Sequence, residues 1–176
     1  MKYLLDVNAL LALCYEKHVH HIRTERWLGD LEIRAPSVNL ATCSTTELGF
    51  VRISSGVARL APNVKSALDD LKDLKREWEF IFLDDTLGAQ GLPPWVERSR
   101  QVTDGHLIML AAVNHGTLAT LDTGIPGALL IPEYPECSSV VRQPELPYGI
   151  PSVWQDENFY TAAPRYDSCI GPSQPS

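Results

Sequence analysis

The chain has 176 residues, 44% of them hydrophobic and 21% charged, which is the size and balance of one folded core and excludes disorder over the whole length. Acidic residues number 22 against 15 basic, a formal net charge of −7, so the chain lacks the basic excess of a protein that coats nucleic acid passively. That balance still admits an enzyme that meets phosphate through metal ions.

Cys14, Cys43, Cys137 and Cys169 form no CxxC pair and no zinc framework, so a reduced, cytoplasmic chain is expected. The apolar start is interrupted by Asp6 and Asn8, unlike a signal peptide, and no apolar run is long enough to span a bilayer. Taken in chain order, Lys2 to Leu5 predicts a strand ending in Asp6, followed by a helix over Ala9 to Tyr15 and a second over Val19 to Leu28. Glu32 to Ala35 reads as a second strand stopped by Pro36, after which Ser37 can cap a helix to about Ile53. Val64, Ala67, Leu68, Leu71, Leu74 and Trp78 recur at helical spacing, with Lys72, Asp73, Lys75, Arg76 and Glu77 as the solvated face. Glu79 to Leu83 predicts a third strand and Asp84 to Gln101 an irregular connection. Thr103 offers a cap for a helix to His115 that Gly116 ends. Thr117 to Leu121 and Ala128 to Ile131 complete the strands.

Strands alternating with helices predict βαβ units and a parallel sheet covered by helices. From Pro126 onward lie nine of the chain's 13 prolines. Residues 1–135 are therefore expected to form the folded unit and 136–176 a proline-rich extension, partly packed through Trp154, Phe159 and Tyr160.

In a parallel sheet, ligands collect beyond the carboxyl ends of the strands. Asp6 follows the first strand and Asp122 the fourth. Asp104 opens an apolar helix, where exposed N–H groups and the helix dipole favour a carboxylate. Glu47 falls on an apolar stripe with Leu40, Cys43 and Phe50, and has no cation at i±3 or i±4. A carboxylate pointed inward needs a partner. Were the four to converge, charges ~4 Å apart would repel by about 4 kcal/mol per pair at an effective dielectric of 20. A hard divalent cation, Mg²⁺ or Mn²⁺, would remove that cost and could activate water against a phosphodiester. Taken singly, Asp6 and Asp122 also read as turn or cap residues, Asp104 as a first-turn acid, and Glu47 as a side chain reaching to solvent.

Leu4-Leu5-Asp6-Val7-Asn8-Ala9-Leu10-Leu11-Ala12-Leu13 resembles the opening of PIN-domain nucleases, in particular the VapC toxins of toxin–antitoxin pairs. His18-Val19-His20-His21, the segment from Ala41 to Arg52 around Glu47, and Arg100-Gln101-Val102-Thr103-Asp104-Gly105-His106-Leu107 follow in the family's order. Gly116 to Gly124, containing Thr120 and Asp122, matches its final strand and acidic turn. The resemblance covers about residues 2–131. It implies a three-layer α/β/α fold with a central, mainly parallel sheet of four to five strands, and a metal-dependent endoribonuclease. It carries over Asp6, Glu47, Asp104 and Asp122 as catalytic and metal-binding acids, with Asn8 and Thr120 as supporting neighbours. Asp6 and Asp104 are expected as principal ligands, Glu47 as ligand or water-orienting base, and Asp122 at an outer or second-metal position. A cognate VapB-type antitoxin and a homodimer are implied as well. Arg52, Arg98 and Arg100 are the candidates for phosphate contacts.

Other readings meet obstacles. A haloacid-dehalogenase-like phosphatase needs a second Asp where Asn8 stands, and a Lys late in a chain whose last lysine is Lys75. A PIN-like module kept only for binding or scaffolding usually shows one acid replaced, and here all four are present. A zinc site from Cys14, His18, His20 and His21 would need ligands on one face, whereas neighbours 20 and 21 point apart on a helix. His106 reads as a packing or capping residue.

Overall fold

A computed structural model describes residues 1–35, 37–57 and 60–134. The expected extension 136–176, with its aromatic residues and two of the cysteines, lies outside the described residues, as does Pro36.

The first strand, β1 (Lys2–Leu5), is apolar because it is covered on both faces, the usual condition of a parallel strand. It runs straight into α1 (Val7–Cys14), which is followed by α2 (His21–Arg34), β2 (Asn39–Cys43), α3 (Ser44–Gly56) and α4 (Val64–Glu77). After β3 (Ile81–Leu83) the connection carries two short 3₁₀ turns, Ala89–Gly91 and Ser99–Gln101, before α5 (Val102–Val113), β4 (Gly116–Thr120) and β5 (Leu129–Leu130). Among the described residues all four strand pairings are parallel, in the order β3-β2-β1-β4-β5. The innermost strand, β1, thus lies between β2 and β4, with Lys2 opposite both Asn39 and Gly116.

Alternate strand residues feed two cores. Tyr3, Leu5, Leu40 and Ala119 face a layer built from α1 to α4, through Leu10, Trp27, Phe50, Leu71 and Leu74. Leu4, Ala41, Cys43 and Leu118 face α5, through Leu107, Leu110 and Ala111. The result is the expected three-layer α/β/α arrangement with five strands. Beyond β5 the chain is tied down: the Ile131 N–H donates to the Thr120 carbonyl at 2.8 Å, and the Tyr134 hydroxyl to Asp30 at 2.9 Å. Arg23, its side chain only 13% exposed, donates to the Ile131 and Pro132 carbonyls and to Glu133. Among the described residues no helix is long and apolar enough to cross a membrane.

Several element boundaries differ from expectation. Residues 32–35 are no strand: α2 continues to Arg34 and Ala35 caps it, because Trp27, Leu28 and Leu31 keep its apolar face against the core while Ile33 is left exposed. The second strand is instead Asn39–Cys43, where Leu40 faces one core and Ala41 and Cys43 the other, as a pleated strand requires. The helix expected from Ser37 therefore begins only at Ser44, fastened by the Cys43 N–H donating to the Thr46 hydroxyl at 3.0 Å. Leu40 and Cys43 consequently do not share a helix face with Glu47. The second helix starts at His21 rather than Val19, since residues 18–20 are taken up by successive turns, with the His18 N–H on the Tyr15 carbonyl and the His21 N–H on the His18 carbonyl. Finally, α5 begins at Val102, so Thr103 is inside the helix, and the turn that ends it is made by His115 at φ 56° with Gly116 already in β4.

Candidate active site

Asp6 ends the innermost strand and caps the first helix. Its Oδ1 accepts the Ala9 N–H at 2.6 Å and its Oδ2 the Thr120 hydroxyl, leaving the residue 6% exposed. Thr120, fully buried at the end of β4, also accepts the Asp122 N–H at 2.9 Å. One hydroxyl therefore joins the ends of the two adjacent strands. Asp122 is exposed, and its Oδ1 accepts the Gly124 N–H at 2.7 Å, which holds the turn after β4. Asp104 occupies the first turn of α5.

These three acids feel one another. Burial lifts the Asp6 carboxyl above the usual carboxylate range; the Thr120 and Ala9 hydrogen bonds counter this, and the charges of Asp104 and Asp122 add to it. Burial likewise raises Asp104, with Asp122 contributing. Asn8, exposed beside them, makes no side-chain hydrogen bond to the acids and shares a cleft wall with Asp122.

Glu47 is set differently. Its Oε1 accepts the Thr42 hydroxyl at 2.6 Å and also the Lys75 ammonium, which sits 5.3 Å from the centre of the Phe82 ring. Asp6, Asp104 and Asp122 are thus coupled through their charges, whereas Glu47 is paired with a lysine from α4. Arg52, Arg98 and Arg100 are exposed, and none forms an ion pair among the described residues. Arg98 precedes and Arg100 lies within the turn leading into α5 and Asp104.

Over 125 residues the chain is 38% identical to Ribonuclease VapC38 of Mycobacterium tuberculosis H37Rv, covering 69% of this chain and 86% of that protein. The chain belongs to the VapC ribonuclease family. Ribonuclease VapC39 of the same organism is 37% identical over 131 residues, covering 71% of this chain and 91% of the relative. Ribonuclease VapC29 is 35% identical over 126 residues, covering 71% and 89%. No family model matches the chain. A solved chain of VapBC2 from Rickettsia felis, bound to a DNA fragment from its promoter, has a TM-score of 0.48 at 16% identity, covering 73% of this chain and 96% of that one.

In this VapC-family chain the donors suit a hard cation. They are oxygens only, from three carboxylates of which two are lifted by burial and by their neighbours' charge. Among the described residues no three acid, histidine or cysteine side chains stand close enough together to enclose an ion. Mg²⁺ does not require that, since it keeps several waters and takes one or two carboxylates directly.

Three participants, Lys75, Thr42 and Asp85, are not among the sequence candidates, and a fourth, His106, has a different role from the packing or capping expected of it. Lys75 was assigned to a solvated face, although it lies four residues after buried Leu71 and so at the edge of the apolar stripe, which was the available signal. Thr42 was hidden in a segment read as helix. The remaining two are Asp85, just past β3, and His106: the imidazole Nε2 is 2.7 Å from Asp85 Oδ2, which also accepts the Thr45 hydroxyl at 3.3 Å. His106 thereby ties α5 to the β3 loop, a role closer to fastening than to packing. Nothing in the spacing of residues 85 and 106 signals this pairing.

Proposed function

We propose that this chain is a Mg²⁺- or Mn²⁺-dependent endoribonuclease hydrolysing RNA phosphodiesters, the toxin of a pair whose cognate partner is a VapB-type antitoxin. The observation that carries the reading is the trio Asp6, Asp104 and Asp122 at the carboxyl ends of the two central strands and the start of α5, with Asp6 and Asp104 raised by burial and by their neighbours' charge. The ribonuclease names of relatives at 35–38% identity support it.

Asp6 and Asp104 would hold the cation, with Asp122 at the outer edge. A bound cation supplies acidified water and neutralises charge on the phosphoryl oxygens. The chain's own residues do the positioning. Thr120 and the Ala9 N–H fix both oxygens of Asp6, so its carboxylate does not have to be ordered when substrate arrives. Lys75 and Thr42 both engage Oε1 of Glu47, which leaves Oε2 as the oxygen able to orient a water. Arg52, Arg98 and Arg100 would draw in the phosphate backbone locally, against an overall charge of −7. Homodimerisation and restraint by the antitoxin belong to the same reading, and co-expression with size-exclusion chromatography checks both.

The test is incubation of the purified full chain with transfer RNA and total RNA in Mg²⁺ or Mn²⁺. Discrete fragments should appear, vanish in EDTA, and fall on the order of a hundredfold or more in Asp104→Asn, the scale of losing one preorganised electrostatic group. Identical patterns from both proteins would reject a nuclease and favour a binding module.

A further inference from the structure

Against Asp122, the outermost of the three acids, lies an open cleft of about 450 Å³, within the range of ligand-binding pockets. One wall is Leu121 and Asp122, from the turn after β4, and Asn8 from the first turn of α1; the other is His18, Val19 and His20 from the turns between α1 and α2. The cleft is therefore lined both by the outermost acid and by two imidazole-bearing residues. Their rings are 5.8 Å apart, centre to centre, and inclined at 52°.

The His18 ring is fixed in its hydrogen bonding. Its Nδ1 accepts the backbone N–H of His20 at 3.2 Å, so in the neutral ring the proton is on Nε2. Burial, with His20 and His21 nearby, lowers its proton affinity, which favours the neutral ring. His18 is thus a donor of defined direction, and His20 is a half-buried aromatic surface. Val19, between them, is 87% exposed. An imidazole ring at His20, a neutral donor, an exposed amide at Asn8 and the carboxylate of Asp122 are components that receive an unstacked base.

We propose that this cleft is a nucleotide subsite, in which the base next to the scissile phosphate lies against His20 and accepts a hydrogen bond from His18 Nε2. The assignment rests on the RNA reading above. It makes the α1–α2 turn, rather than the exposed arginines, the part of the chain that selects where RNA is cut.

The experiment uses the full chain carrying Asp104→Asn, which holds RNA uncut, and a short single-stranded oligoribonucleotide with 2-aminopurine moved along its length. At one position the fluorescence should be quenched on binding, the signature of stacking. Adding His20→Ala should weaken binding about tenfold and abolish that quench, while His20→Phe should restore both. His18→Asn keeps an acceptor for the His20 N–H and removes the Nε2 donor, so it tests the cleft without disturbing the turn; a severalfold loss is expected. In the otherwise unaltered chain, the same changes should alter the cleavage-site pattern. If the unaltered chain cuts RNA and the histidine variants bind, quench and cut as it does, the subsite is wrong and the nuclease reading stands. If these variants instead weaken antitoxin binding alone, the cleft is a protein-docking surface and the proposal is overturned. If the unaltered chain neither binds nor cuts RNA, both readings fall together.

Discussion

Glu47 and Lys75 are each about a quarter exposed, between the surface pairs that contribute little and the buried pairs whose rupture is severe. Removing the cation leaves a half-buried carboxylate without its partner. Lys75→Met should therefore destabilise the fold by about 1–2 kcal/mol, a fall in melting temperature of roughly 3–6 °C, and the double variant with Glu47→Gln should recover most of it. Thermal unfolding of the two single variants and the pair checks this. Asp85 gives a pH-dependent counterpart. Burial pushes its carboxyl up, but the hydrogen bond and charge of His106, the Leu87 N–H and the Thr45 hydroxyl together outweigh that and hold it below its ordinary 3.8. A carboxyl lowered in the folded state stabilises above its unfolded value, and that contribution is lost as pH falls through the folded one. Melting curves from about pH 6 down to about pH 3 should show a shallower acid decline for Asp85→Asn than for the unaltered chain. Both interactions escaped the sequence because each joins residues 21 or more positions apart on different elements. Asp6, Asp104 and Asp122 were legible because each is adjacent to the end of an element.

At the level of elements, what could be read depended on whether local pattern and tertiary demand agreed. Helix α4 was clear, since its apolar residues recur at one spacing and its other face is charged. Segment 37–43 was not. Leu40, Ala41 and Thr42 fit a helix as easily as a strand, and only pairing of Tyr3 with Leu40 and Leu4 with Ala41 decides for the strand. Helix α5 carries a local compromise of its own. Gly105 weakens the helix by about 1 kcal/mol relative to alanine. A Cβ there would collide with the Val96 side chain and come within 3.3 Å of Pro93. The collision outweighs the helical gain, overpacking costing about 1–3 kcal/mol. Gly105→Ala should lower the melting temperature by a few degrees and loosen residues 92–96, read as faster amide exchange there.

For the whole molecule, the acids at the carboxyl edge oppose the fold that presents them. Asp104→Asn relieves like-charge repulsion on Asp6 and Asp122, so in EDTA it should melt about 2–4 °C above the unaltered chain while losing activity. Mg²⁺ or Mn²⁺ at a hundred times its dissociation constant should raise the melting temperature of the unaltered chain by an amount corresponding to about 2.7 kcal/mol, and leave Asp104→Asn nearly unmoved. Absence of a differential response would remove the metal from the account. The hydrogen bond between Thr120 and Asp6 spans 114 positions, and β1 stays half-paired until β4 joins it. Synthesis proceeds from the N-terminus, so a growing chain carries Asp6 long before it carries the hydroxyl that orients it. A partly translated copy therefore holds Asp6 without the Thr120 hydroxyl that orients it until almost the entire sheet has left the ribosome.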